Sequence, residues 1–172
     1  MAPLKALARE RLKDWKARLG GLLGLSVLEL TGEHTPELAA LSAADVLIVT
    51  PEKWDGISRQ WRQRQYVMRV GLMVIDEVHL LGVERGAVLE ALVSRMRFIS
   101  AQTSQHIRFL GLSTALANAR DLGDWLGIPR SGRNGALGLY NFRPSVRPVP
   151  MTIHIQGVPG KHFCPRMATM NK

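Results

Sequence analysis

Asp76-Glu77-Val78-His79 sets two carboxylates and an imidazole directly after the apolar run Val70-Gly71-Leu72-Met73-Val74-Ile75. One carboxylate there can hold Mg²⁺, usually through water, and its neighbour can orient or deprotonate a water attacking a γ-phosphate. Asp76 and Glu77 are the candidate pair for that chemistry, and the alternative is a solvated acidic turn after a strand. Ser113-Thr114-Ala115 ends a second apolar run. In a neighbouring strand its two hydroxyls would lie level with the tetrad and reach His79 or Asp76, while either would also serve as a cap for the following helix.

Two further segments suit phosphates. Pro3-Leu4-Lys5-Ala6-Leu7 and Thr50-Pro51-Glu52-Lys53 both stand where the chain enters a helix, so backbone N–H groups, the Thr50 hydroxyl and the charges of Lys5, Arg9 and Lys53 can meet a phosphodiester. Each is by itself also an ordinary helix start. Arg59 to Arg69 reads as a solvated basic face. Gly157-Val158-Pro159-Gly160-Lys161 is too short for a phosphate loop and continues with His162 rather than Ser or Thr. His154, His162 and Cys164 are weak donors for zinc in a proline-rich setting, and no G-x-S-x-G supports a serine nucleophile.

The elements that must position these groups alternate in period. Leu4, Ala8, Leu12, Trp15 and Leu19 recur at steps of three and four, making one apolar helix face that Gly20-Gly21 is expected to stop. Lys5, Arg9, Lys13 and Lys16 make its polar face. Ser26 to Leu30 and Asp45 to Val49 read as strands, with a short helix between them from Thr35-Pro36-Glu37 toward Ala44. Val70 to Ile75 reads as a strand buried on both faces. Val88, Leu89, Leu92, Val93, Met96 and Ile99 make a buried helix face, His106 to Leu112 a further strand, and Ala117 to Leu126 a helix broken by Gly127-Ile128-Pro129. A glycine-rich loop spans Ser131 to Gly138, and beyond Tyr140 prolines surround one alternating strand, Val149 to Ile155. Strands and helices in alternation predict a parallel α/β sheet.

With 172 residues the chain makes one domain, here 1–140, with a proline-rich connector at 141–172. No apolar run approaches the roughly 18 residues that cross a bilayer, and the N-terminal segment is an amphipathic basic helix rather than a secretory signal. Those features and a single cysteine predict an intracellular, non-membrane protein. A net charge of +9 favours a polyanionic partner, nucleic acid or acidic protein.

In order, Ala2-Pro3-Leu4-Lys5-Ala6-Leu7, Thr31-Gly32-Glu33, Thr50-Pro51-Glu52-Lys53-Trp54-Asp55, Asp76-Glu77-Val78-His79 and Ser113-Thr114-Ala115 resemble motifs Ia, a Ic-like element, Ib, II and III of superfamily 2 helicases. The wording is similar to the superkiller-like, DEVH-box branch, and Ser113 to Leu122 with Asn141 to Pro150 extends the likeness over the chain.

The resemblance implies part of the first RecA-like lobe of an ATP-dependent 3′-to-5′ helicase. Asp76 would coordinate Mg²⁺ with Glu77, partly through water, and Glu77 would be the catalytic base. His79, Ser113 and Thr114 would couple nucleotide state to lobe movement, and Pro3, Leu4, Lys5, Arg9, Thr50, Pro51 and Lys53 would line a single strand of DNA or RNA. It further implies ATP as cofactor, other subunits of an activating signal cointegrator complex as partners, and residence in nucleus and cytosol. Motif I, the P-loop with its strand, and motifs IV to VI are not among these residues, so the 172 residues alone are expected not to hydrolyse ATP.

Overall fold

Short runs of apolar residues become strands where helices pack against them. The computed structural model describes residues 1–82, 86–129, 138–158 and 162–170, and they include four strands: β1 (Val27–Leu30), β2 (Val46–Val49), β3 (Leu72–Ile75) and β4 (Arg108–Gly111). β1 pairs with β2 in parallel, Val27 opposite Val46, and β3 with β4 in parallel, Leu72 opposite Arg108. Between the two pairs lies Met1-Ala2. The Met1 amino group donates to the Val74 carbonyl, and the Met1 carbonyl accepts from Asp76 N–H at 3.1 Å. Bonds to the residues on either side of Ile75 are the parallel pattern. Ala2 N–H donates to the Val49 carbonyl at 2.9 Å, so these two residues form a rung joining β2 to β3. Alongside the rung a cleft of about 700 Å³ opens between the strands, lined by Val46, Leu47, Val49, Val70, Leu72 and Met73.

Helices pack on both faces. α1 (Lys5–Trp15) runs on through a π turn at Lys16–Gly20 into α2 (Gly21–Leu23). The expected stop at Gly20-Gly21 is therefore displaced. Both glycines keep right-handed helical angles, and the helix ends at Gly24, whose φ of +68° needs a residue without a Cβ. The remaining helices are α3 (Leu38–Ala43), α4 (Pro51–Ser58), α5 (Gln65–Met68), α6 (Gly86–Thr103) and α7 (Ala119–Leu126). α7 begins two residues later than its apolar pattern predicts, with Asn118 before its first turn, and closes at Gly127, φ +75°. The glycine-rich segment lies outside the described residues apart from Gly138.

Alternation along the strands distributes the core. Val27 and Ile48 pack with Ala2 and Ala8 beneath Leu7, Leu12, Trp15 and Leu19 of the α1 segment. Leu30, Val49, Met73 and Ile75 face the other way, against Trp54, Tyr66, Val67 and the α6 stripe Leu89, Leu92, Val93, Met96 and Ile99. Each fully buried side chain of this size contributes about 1.5–3 kcal/mol. One expectation is corrected here: β3 is not buried on both faces. Leu72 is 54% exposed and Val74 half-buried, because on the side away from β4 the strand meets the cleft, with Met1 bonded only around Ile75.

The second unit, Tyr140–Lys172, contains a 3₁₀ turn at Pro144–Val146 and α8 (Phe163–Met170). Val149 to Ile155 is not a strand. Val149, Ile153 and Ile155 are 76%, 69% and 94% exposed. An alternating segment becomes a strand only with a ladder partner, and isolated pairs are marginal even then.

α4 and α6 are locked by a charge set into their contact. Arg95 follows Leu92 by three residues on the buried side of α6, and its Nη1 donates to Asp55 Oδ1 at 2.6 Å and Ser58 Oγ at 2.9 Å. Arg59 Nη2 reaches Asp55 Oδ2 at 2.7 Å. Partial burial pushes the Asp55 carboxyl up, but hydrogen bonds from Arg59 and Arg95 outweigh it and hold the pKa below its usual value. Asp55→Asn leaves Arg95 half-paired and is expected to lower stability in urea unfolding by about 1–3 kcal/mol. Since a depressed carboxylate pKa stabilises the fold above its unfolded value and is lost as pH falls, the variant should also lose part of the acid limb of the stability profile. An unchanged urea midpoint would show that this contact carries no net stability.

Candidate nucleotide and nucleic-acid site

Parallel strands deliver their carboxyl ends to one edge, and the candidate residues follow four such ends. Thr31 follows β1, Thr50 follows β2, Asp76 follows β3, and Leu112-Ser113 follows β4. Ligands of open α/β sheets bind beyond these ends.

At the β3 end the backbone turns sharply. Glu77 takes φ +53°, a left-handed conformation for a non-glycine residue, which costs of order 1 kcal/mol. Its N–H donates to Asp76 Oδ1 at 3.1 Å, and Val78 N–H donates to the Leu112 carbonyl at 2.9 Å, binding the turn to the β4 end. Val78 is buried, and Gly111 beside it leaves room for α7: a Cβ there would stand 2.9 Å from Leu126 Cδ1, while Val78 Cγ1 at 3.5 Å would be in ordinary contact. Asp76, Glu77 and His79 are half-buried side by side. His79 Nδ1 lies 3.3 Å from Glu77 Oε2 but is not aligned for a hydrogen bond, and it is buried without another partner.

Ser113 and Thr114 are exposed, and among the described residues neither bonds Asp76 or His79. The structure brings them to the same edge without joining them to the tetrad. Nor does either cap α7, whose preceding residue is Asn118.

Asp76 and Glu77 supply two carboxylates, and among the described residues no cluster of three or more metal-ligating side chains occurs. That donor set fits an ion held mostly through water and phosphate oxygens, as Mg²⁺ is, and does not fit an all-protein cage.

The phosphate candidates divide by burial. Pro3, Thr50 and Pro51 are buried, so they shape the floor rather than present side chains. Leu4, Lys5 and Arg9 are exposed on the first turns of α1, and Lys53 is half-buried on α4. The loop Thr31–Thr35 sits among them: Glu33 pairs with Lys5 at 2.9 Å and with Arg9, and Lys53 Nζ donates to Thr35 Oγ1 at 2.9 Å. Lys5 holds the exposed Glu33 carboxyl below its ordinary pKa, with Arg9 adding to it. The arginines from 59 to 69 are engaged within the protein: Arg62 stacks on Trp61, Arg64 donates to Tyr66, and Arg69 donates to the Ser42 carbonyl.

Sequence reasoning missed Arg95 and its Asp55 partner. A visible signal existed, since Arg95 interrupts the apolar stripe of α6.

The strand ends, the Asp76-Glu77 turn and the basic first helix together define a RecA-like helicase lobe, and residues 1–122 match the DEAD/DEAH box helicase family, to which the chain belongs. Within that family it is similar to the superkiller-like branch. It is 62% identical over all 172 residues to activating signal cointegrator 1 complex subunit 3 of Danio rerio, of which it covers 11%. It is 60% identical over the same span to the ATP-dependent RNA helicase DExH14 of Arabidopsis thaliana, of which it covers 8%. The chain thus spans about a tenth of these relatives. Among solved structures, the DUF1998 helicase MrfA aligns with 74% of this chain and 21% of its own at a TM-score of 0.64 and 22% identity. The Mycobacterium smegmatis helicase Lhr, bound to ssDNA and AMP-PNP, aligns with 72% of this chain and 17% of its own at 0.56 and 25% identity.

As a 172-residue polypeptide with Met1 as its free amino terminus, the chain carries a buried ammonium beside Asp76 that gives this polypeptide a pH signature. Desolvation lowers its pKa from 8.0 to about 6, against a raising effect of the Asp76 charge. Between those values the unfolded chain holds a proton that the folded chain has released, so stability rises with pH through this window. The 172-residue chain with a free amino terminus should gain about 2–3 kcal/mol from pH 6 to pH 8 in urea melts, at roughly 1.4 kcal/mol per unit. Nα-acetylation retains an N–H for the Val74 carbonyl and should flatten the rise. A rise that persists after acetylation would assign it to other groups.

Proposed function

We propose that this chain is the motif Ia to motif III part of the first RecA-like lobe of an ATP-dependent 3′-to-5′ nucleic-acid helicase. The observation that carries this reading is the shared sheet edge, where an acidic turn follows β3 and basic helix starts follow the Met1-Ala2 rung and β2. In this reading Asp76 holds Mg²⁺ and Glu77 holds the attacking water and takes its proton. Mg²⁺-bound ATP supplies the transferable phosphoryl group and neutralises its charge. His79, Ser113 and Thr114 pass the nucleotide state toward the other lobe, and the exposure of the two hydroxyls suits contacts made outside this lobe.

Lys5, Arg9 and Lys53 take strand phosphates, with Leu4 beside them and Pro3, Thr50 and Pro51 setting the backbone. Residues 141–172 are the connector toward the second lobe. Similarity to a cointegrator complex subunit supports other subunits of such a complex as partners, action in DNA repair or ribosome quality control, and residence in nucleus and cytosol. The DNA-bound Lhr and the RNA helicase name of the Arabidopsis relative leave both strand chemistries within the proposal.

The 172 residues should bind single-stranded oligonucleotides with a salt-dependent affinity that falls several-fold in Lys5→Ala and in Lys53→Ala. They should not turn over ATP, since phosphate cradle and arginine finger belong to motifs outside this sequence. Turnover above background that disappears in Glu77→Gln would overturn that incompetence. Affinity unmoved by both lysine variants would leave a partner-binding module as the better reading of the basic face.

A further inference from the structure

Resting on this nucleic-acid reading, we propose that Glu33 is a built-in competitor for the strand: its carboxylate occupies the place of a backbone phosphate between Lys5 and Arg9 until nucleic acid displaces it. The geometry carries the argument. Glu33 is held through both oxygens, Oε1 by Lys5 Nζ at 2.9 Å and Oε2 by Arg9 Nη2. A carboxylate bridging two cations through separate oxygens presents the same acceptor pattern as the two non-bridging oxygens of a phosphodiester. Lys5 and Arg9 are four residues apart on α1 and so stand on one face.

All three side chains are half or more exposed, at 51%, 60% and 53% for Lys5, Arg9 and Glu33. Exposed pairs of this kind contribute little to stability. The pairing therefore adds little to the fold while occupying the cations proposed for the ligand. Its position reinforces the point, since Glu33 sits on the loop Thr31–Thr35, which also accepts from Lys53 through Thr35 at 2.9 Å. One loop thus engages all three cations proposed to hold the strand. Displacing Glu33 frees a carboxylate that regains a counterion, so wild-type binding releases fewer ions than its phosphate contacts alone would.

The test measures binding of a fluorescent single-stranded oligonucleotide to the 172-residue chain across a salt series. Glu33→Gln should bind roughly three- to tenfold tighter at low salt, with a log–log salt slope steeper by up to about 0.7. Glu33→Ala should do the same, which separates loss of charge from the behaviour of one amide. Added to Lys5→Ala with Arg9→Ala, Glu33→Gln should gain nothing. Unchanged or weaker binding in both single Glu33 variants, in a chain whose affinity still falls in the Lys5 and Arg9 variants, would overturn the competitor role while leaving the nucleic-acid face intact. Affinity indifferent to Lys5 and Arg9 would instead refute the underlying reading, and with it the proposal.

Discussion

The two-residue rung at Met1-Ala2 holds the arrangement together. β1 with β2 and β3 with β4 are separate two-stranded ladders, and two-stranded units are marginal in water. Bonds from Met1 to Val74 and Asp76, and from Ala2 to Val49, convert them into one parallel order in which every strand points the same way. Shared direction is what brings Thr31, Thr50, Asp76 and Ser113 to one edge. The rung spans only one end of the junction, and along the remaining length β2 and β3 line the cleft.

Packing of the helices compensates for the short ladder. α1 covers Val27 and Ile48, while α4, α5 and α6 cover Leu30, Val49, Met73 and Ile75, so helices pack on both sides of the two ladders. In the 172-residue polypeptide with a free terminus at Met1, loss of hydration outweighs the attraction of Asp76 and disfavours the ammonium. The same balance is reversed at Asp55. There two guanidiniums bond one half-dry carboxylate directly, and bonding outweighs burial.

What could be read from the residues depended on how local its cause was. β1, β2 and β3 are set by apolar period and lie within two residues of the expectation, and α6 carries the expected apolar face from Val88 to Ile99 inside a longer helix. The tetrad and the Lys5 and Lys53 helix starts likewise needed only adjacent residues. Failures came where a distant partner decides. Val149 to Ile155 has the alternation of a strand but no described edge to pair with, and Leu72 has the composition of a core residue beside a cleft that no local pattern discloses. Gly20-Gly21 failed differently, because glycine allows a break without demanding one and the π turn carried the helix through. The Glu33 bridge joins residues 28 and 24 positions apart, beyond the reach of any spacing rule.

The rung also limits how the acidic and basic halves of the edge can move. α1, which carries Lys5 and Arg9, begins three residues after Ala2, and the Met1 carbonyl accepts the N–H of Asp76 itself. A shift of the α1 start along its axis must therefore stretch the bond to Asp76 or carry β3 with it. On the other side, Thr50 and Lys53 follow Val49, the residue bonded to Ala2. Both basic helix starts are thus tied by one or two backbone bonds to the strand ends around the carboxylates, without any flexible linker between them. The acidic and basic halves of the edge are therefore both anchored to the rung through short backbone connections. The exposed Ser113 and Thr114, and the Thr31–Thr35 loop with its displaceable Glu33, are the described segments at this edge free of that anchor.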